Sequence, residues 1–191
     1  MVKCLIEVLV ALLAIIILFP FFVILMLITA ISTKGSIFYC QERIGLGGKP
    51  FTMYKLISMH PDAEKDGPAL WVFGDSRQTK WGEFMRKRRF DELPQLWNIL
   101  IGDMSFVGGT RPERKYYIDQ LIKIAPEYNS LLTVKPGLVS VGIVDYGYAS
   151  TVEQMLVRMK LDLTYLNNPS PYRDVQLLYK AFWKVILGKG Q

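Results

Sequence analysis

Two acidic side chains stand next to each other in the most basic stretch of the chain, Arg86-Lys87-Arg88-Arg89-Phe90-Asp91-Glu92-Leu93-Pro94-Gln95. Proline is tolerated only in the first turn of a helix, so Pro94 places a helix start at about residues 91–93. Asp91 then lies at or beside the N-cap, where free backbone N–H groups and the helix dipole favour anions. In the plain structural reading, Asp91 caps the helix and the basic run is a solvated face. In the chemical reading, adjacent carboxylates among basic side chains suit a phosphate ligand with a divalent cation. One carboxylate attacks phosphorus while the other helps hold Mg²⁺, which takes hard oxygen ligands. Arg88, inside the basic run, is a candidate phosphate contact. A second element follows at Gly102-Asp103-Met104-Ser105-Phe106-Val107-Gly108-Gly109-Thr110-Arg111-Pro112-Glu113. Its paired glycines let the backbone approach a ligand, and Arg111 offers phosphate oxygens a bidentate fork. Asp103 reads as a turn former rather than a metal ligand. Arg43 either binds phosphate or ties its own segment to the core.

Other chemistries are excluded by composition. His60 is the single histidine, so Ser-His catalysis and multi-histidine metal sites have no second partner on this chain. Cys4 and Cys40 are too few for a disulfide framework and lack metal-ligand spacing. The 51% apolar content excludes intrinsic disorder. The formal charge is +6, and because Lys3 and Glu7 cancel, all of it belongs to the chain after residue 31. A basic domain suits anionic partners such as phospholipid headgroups or nucleotides. Nucleic acid is not expected, since the basic residues match no DNA- or RNA-binding motif.

These residues must be positioned by elements that begin in lipid. Thr29 is the sole polar side chain between residues 8 and 31. Roughly 20 apolar residues cross the hydrocarbon core, so the segment belongs in a membrane. It is too long, and too poor in basic residues ahead of it, for a secretory signal. Pro20 sits mid-run and leaves two geometries open. One is a kinked helix that goes straight through; the other is a helix-break-helix that dips into one leaflet and returns. Residues 37–39 and 51–56 read as strands of a hairpin around a glycine-rich turn at 41–48. Residues 60–79 are polar, with Gly67, Pro68 and Gly74, and read as a mobile loop. Helices are expected over 82–89, 94–101 and 116–132 (interrupted at Pro126), with an amphipathic one over 152–166. A final helix at 174–187 mixes Tyr179, Phe182 and Trp183 with Lys180 and Lys184, as in helices lying at a bilayer surface.

Asp91-Glu92-Leu93-Pro94-Gln95-Leu96-Trp97-Asn98, the Gly-Asp-Met-Ser-Phe-Val-Gly run and Arg111-Pro112-Glu113 strongly resemble the bacterial sugar transferase family. Its small members are monotopic phosphoglycosyl transferases. The resemblance extends to Gln41-Glu42-Arg43-Ile44-Gly45, Phe51, Tyr54-Lys55, Val134-Lys135-Pro136-Gly137, Leu161-Asp162-Leu163 and Tyr165, so it covers almost the whole chain. It implies an α+β fold, mainly helical, with a short β-hairpin, an N-terminal re-entrant helix-break-helix (residues 1–34) and amphipathic interfacial helices. Residues 35–191 would form the catalytic domain, on the cytoplasmic face of the bacterial inner membrane. It further implies transfer of a phosphosugar from a UDP-sugar to undecaprenyl phosphate, releasing UMP. Asp91 would be the nucleophile, through a covalent aspartyl-phosphosugar, and Glu92 its dyad partner. Mg²⁺ would be the metal, held by Asp91 and Glu92, with Lys55 and Arg111 at the substrate phosphates. Partners would be the two substrates and membrane lipids; downstream glycosyltransferases and self-association stay open. Rival readings are a UDP-sugar pyrophosphatase and an inactive membrane adaptor.

Four positions depart from the family pattern. Phe19-Pro20 replaces Ser-Pro at the membrane break, and the Gly-Pro-Arg-Pro loop is one residue longer, as Gly108-Gly109-Thr110-Arg111-Pro112. Cys40 replaces an arginine, and Cys4-Leu5-Ile6-Glu7 replaces the Arg-x-Phe-Asp start. None alters Asp91, Glu92 or Arg111. Asp162 reads as structural, and the aromatics of Tyr146-Gly147-Tyr148-Ala149 either contact the donor or pack.

Overall fold

The computed structural model describes residues 2–33, 35–60, 62, 63, 65, 67 and 75–188. The polar loop expected over 60–79 therefore lies largely outside the described residues. The apolar segment folds as a single helix, α1 (Val2–Thr33), with Pro20 inside it. The expected helix-break-helix is not drawn as two helices. Proline removes one i→i−4 hydrogen bond, and the bonds on either side carry the helix past it.

α1 lies along the rest of the protein. Near its start, Lys3 Nζ donates to the Val107 carbonyl at 3.0 Å and pairs with Asp174 at 2.9 Å. One turn later Glu7 accepts from the Phe106 N–H at 3.1 Å and from the Ser105 hydroxyl. Ala11, Ala14, Ile15 and Leu18 pack on Leu96, Ile99 and Met104. Phe22, Leu25 and Met26 pack on Leu56 and Met85. Near its end Thr29 accepts from Trp81 Nε1 at 3.0 Å and donates to Leu25 O. The opposite side of the helix is exposed Leu, Ile, Val and Phe from Val2 to Ile31.

After α1 comes an antiparallel hairpin, β1 (Phe38–Ile44) and β2 (Pro50–Leu56), joined by a single 3₁₀ turn at Leu46–Gly48. Gly47 and Gly48 both have positive φ in that turn, at 68° and 74°. The hairpin thus begins its turn later than expected, because residues 41–44 pair with 50–53. α2 (Lys80–Lys87) is N-capped by the Thr79 hydroxyl and leads to a 3₁₀ turn at Phe90–Glu92, then to the short α3 (Gln95–Leu100). β3 (Ser105–Val107) follows, then α4 (Lys115–Ile124) and a 3₁₀ stretch at Pro126–Thr133, matching the interruption expected at Pro126. β4 (Gly137–Val139) pairs in parallel with β3, a second small sheet that the sequence pattern does not announce. A π-helical turn at Gly142–Tyr146 precedes α5 (Val152–Asn167) and α6 (Pro171–Ile186), both N-capped by hydroxyls, Thr151 and Ser170.

Two cores hold the domain behind the site. Ile118, Leu121, Leu131, Met155 and Met159 pack α4 on α5. Val107, Val139, Val144 and Leu177 pack the β3–β4 pair under α6. Asp162, fully buried, accepts from the Gly142 N–H at 2.7 Å, which fits its structural reading.

Candidate active site

The dyad does not sit where its spacing to Pro94 suggested. Asp91 and Glu92 occupy the 3₁₀ turn before α3; Pro94 is itself the N-cap, with no side-chain capping bond. Arg89 enters that turn in the left-handed region, φ 52° and ψ 24°, alone among the described non-glycine residues. Such a conformation costs on the order of 1–3 kcal/mol outside glycine. The tight turn points the two adjacent acids into different surroundings.

Glu92 is held by cations on every side. Its Oε1 is 2.8 Å from Arg111 Nη2 and 3.3 Å from Lys55 Nζ, and its Oε2 is 3.1 Å from Arg89 Nη1. The Tyr148 hydroxyl also donates to Oε1, at 3.5 Å. Burial by itself would raise this carboxyl, but Arg111, Lys55 and Arg89 hold it well below the usual range, so Glu92 is ionised. Asp91 differs. It faces a cavity of about 700 Å³, and among the described residues no hydrogen bond reaches its carboxyl. Burial and the neighbouring Glu92 charge raise its pKa against the pull of Lys55. Both acids are only 4% exposed.

The remaining residues singled out by sequence are placed unevenly. Lys55 lines the cavity from β2, with its pKa lowered by burial. Arg111 lines it from the loop after β3, held firmly protonated by Tyr148, Glu92 and Glu113 despite burial. Arg43 ties β1 to Glu113 at 3.4 Å, as its structural reading expects, and it also lines the cavity. Burial brings its pKa down to about 10. Glu113 in turn pairs with the buried Arg158 of α5. Arg88 stands apart, stacked over the Phe84 ring at 4.7 Å and outside the cavity, whereas Arg86 lines it. Sequence reasoning missed Arg86, because four consecutive basic residues cannot be told apart until the end of α2 is known.

The supporting contacts explain two motif positions. Asn98, fully buried on α3, accepts from the Tyr54 N–H at 3.2 Å and donates to the Thr52 carbonyl at 2.7 Å. It clamps β2 to α3, and so Lys55 to the dyad. It also reaches Asp103 at 3.3 Å, in keeping with a turn-forming role there. The glycines before Arg111 are needed for close backbone packing. A Cβ on Gly108 would meet the Gly137 nitrogen of β4 at 2.2 Å, and one on Gly109 would meet Val134 at 2.4 Å. This close contact carries Arg111 inward towards Glu92.

Among the described residues, no group of three or more His, Cys, Asp or Glu is placed to hold a metal ion. What the site offers is two cavity-lining carboxylates, Asp91 and the arginine-paired Glu113, among lysine and arginine, the complement of a phosphate-bearing ligand. The chain belongs to the bacterial sugar transferase family, which matches residues 1–188. A UDP-N-acetylgalactosamine-undecaprenyl-phosphate N-acetylgalactosaminephosphotransferase of Aeromonas hydrophila is 36% identical over 182 residues, covering 93% of this chain and 43% of its own length. A UDP-glucose:undecaprenyl-phosphate glucose-1-phosphate transferase of Caulobacter vibrioides is 38% identical over 165 residues, 82% of this chain and 61% of that protein. An uncharacterised sugar transferase of Bacillus subtilis is 35% identical over 170 residues, 88% and 80% respectively. The chain thus spans less than half the length of the first relative and about three fifths of the second.

Proposed function

We propose that this chain transfers a phosphosugar from a UDP-sugar to undecaprenyl phosphate in two displacements, as the initiating step of a capsule, O-antigen or related glycan. The carrying observation is the division within the dyad: Asp91 faces the cavity, while Glu92 is buried among Arg111, Lys55 and Arg89. An Asp91 oxygen attacks the β-phosphorus of the donor; the bond from that phosphorus to the bridging oxygen breaks, and UMP leaves with the electron pair. An oxygen of undecaprenyl phosphate then attacks the same phosphorus. The bond to Asp91 breaks, regenerating the carboxylate and giving the polyprenyl diphosphosugar. Lys55 and Arg111 counter the repulsion between carboxylate and phosphate, and Glu92 fixes their direction.

Mg²⁺ takes one or two carboxylates together with substrate phosphates and water, so Asp91 with a bound diphosphate is a fitting donor set. It would neutralise phosphate charge. Glu92, ringed by three cations, suits their orientation better than direct ligation.

The anchor supports a one-sided topology. α1 would be about 48 Å long at 1.5 Å per residue, yet both of its ends are bonded to one domain, through Lys3 and Glu7 and through Thr29. A helix so held enters and leaves on one face, here the cytoplasmic face of the inner membrane. Residues 1–34 then serve as a re-entrant anchor for the catalytic residues 35–191. α6 exposes Tyr172, Val175, Tyr179, Phe182 and Ile186 as an interfacial stripe.

The test is UMP release from a panel of UDP-sugars with Mg²⁺, with and without undecaprenyl phosphate, for the parent and Asp91→Ala. Lipid-dependent release lost in Asp91→Ala is expected. Equal release without lipid would replace transfer by hydrolysis. No release from any donor would leave an inactive adaptor.

A further inference from the structure

Tyr148 belongs to none of the motifs that carry the family resemblance, yet its ring lies against two of the cations around the dyad. The Arg111 guanidinium lies 4.8 Å from its ring centroid and the Arg89 guanidinium 5.3 Å. Its hydroxyl reaches Glu92 Oε1. It therefore touches both arginines that pair with Glu92, and Glu92 itself. Gly147 precedes it at φ 102° and ψ −150°, a backbone region that only glycine enters readily, and this turns the chain so that Tyr148 projects into the cavity wall.

Arg89 has two demands that a side chain alone does not meet. It holds the strained left-handed link into the Asp91–Glu92 turn, and its guanidinium must stay on Glu92. The face of an aromatic ring attracts a guanidinium most strongly when both are shielded from water. Tyr148 supplies that face to Arg89 and Arg111 together, so the two like charges are held beside one carboxylate instead of being driven apart.

We propose that Tyr148 is a positioning residue whose ring holds Arg89 and Arg111 on Glu92 and thereby fixes the turn that presents Asp91. This rests on the transferase reading for its functional consequence, but not for its structural one. The ring engages two full charges, and the hydroxyl adds its contact with Glu92 and a hydrogen bond with Arg111.

Amide hydrogen exchange of the peptide spanning residues 88–93, in the parent, Tyr148→Phe and Tyr148→Leu proteins in lipid nanodiscs, tests it without any substrate. Two amides report the turn, Glu92 N–H to Arg89 O at 3.1 Å and Leu93 N–H to Phe90 O at 3.3 Å. Tyr148→Leu should exchange there about tenfold faster, and Tyr148→Phe, which keeps the ring, should be accelerated clearly less than Tyr148→Leu. Exchange of the α4–α5 core should be unchanged in both, separating a local effect from general unfolding. In the transfer assay Tyr148→Leu should lower kcat about tenfold, and by less in an Arg89→Leu background, where only the Arg111 contact remains to be lost. Parent-like exchange in Tyr148→Leu, or equal acceleration in the core, would overturn the proposal. A parent inactive towards every donor would count against the transferase reading alone, because the exchange experiment decides the positioning role by itself.

Discussion

Replacing Asn98 with alanine removes the clamp between β2 and α3 without touching Lys55 or the Asp91–Glu92 pair. The side chain is fully buried and makes three hydrogen bonds: from Tyr54 N–H at 3.2 Å, to Thr52 O at 2.7 Å and to Asp103 Oδ2 at 3.3 Å. Alanine leaves Tyr54 N–H and Thr52 C=O without these partners. An unsatisfied buried backbone group costs about 1–3 kcal/mol; with Tyr54 half-buried and Thr52 exposed, the two together should cost about 2 kcal/mol. For a domain of this size that corresponds to a fall in Tm of about 4–8 °C. The protein should be purified in detergent and unfolded in guanidinium chloride, with tryptophan fluorescence as the signal and the slope checked for constancy. Because Lys55 lies one residue beyond Tyr54 on β2, turnover should also fall more than folded fraction alone explains. A loss below about 1 kcal/mol would refute the reasoning, since water would then be satisfying both groups and the clamp would not be what places Lys55.

Gly108→Ala should destabilise by about 3 kcal/mol, read by the same unfolding experiment, because its Cβ has the Gly137 backbone 2.2 Å away and no flexible atom to displace. Acid should unfold the protein earlier than a Glu92→Gln variant's own pH profile would suggest. Glu92 is depressed below its ordinary 4.5, so its contribution is complete above that pH and is lost as pH falls towards the folded value; Glu92→Gln should flatten this slope. At neutral pH the same variant leaves three cations around an uncharged amide and should lose about 3–5 kcal/mol, measured by denaturant midpoint. Arg86→Ala should lower kcat about a hundredfold, as loss of a charge at a phosphate site does. Arg88→Ala, losing a stacking contact on Phe84, should change it by less than about threefold. Equal effects of the two would contradict the cavity lining.

What the sequence disclosed was whatever is local. Asp91, Glu92, Lys55 and Arg111 lie in short runs whose residue types already suggest phosphate chemistry, and the structure brings all four together. The hairpin and α4–α6 were legible from alternation, Pro126 and helical spacing. The β3–β4 pair was not, since each strand is three residues long and the partners lie some thirty residues apart, joined through a contact between two glycines. Spacing to Pro94 suggested that Asp91 caps a helix, but a left-handed Arg89 begins a separate turn first, and nothing in residue type foretells a non-glycine residue there. Pro20 signals disturbance without saying whether a helix bends or ends.

The packing of α1 carries a practical corollary. Its inward stripe supplies Ala11, Ile15, Leu18, Phe22 and Leu25 to the clusters that contain Leu93 and Phe90, the residues flanking the dyad turn. α1 is therefore part of the bed on which the Asp91–Glu92 turn rests. Trimming it to make a shorter fragment would strip that apolar bed from beneath Leu93 and leave a damaged fold. Conversely, any displacement of α1 is transmitted straight to the turn that carries Asp91, with no linker between to absorb it.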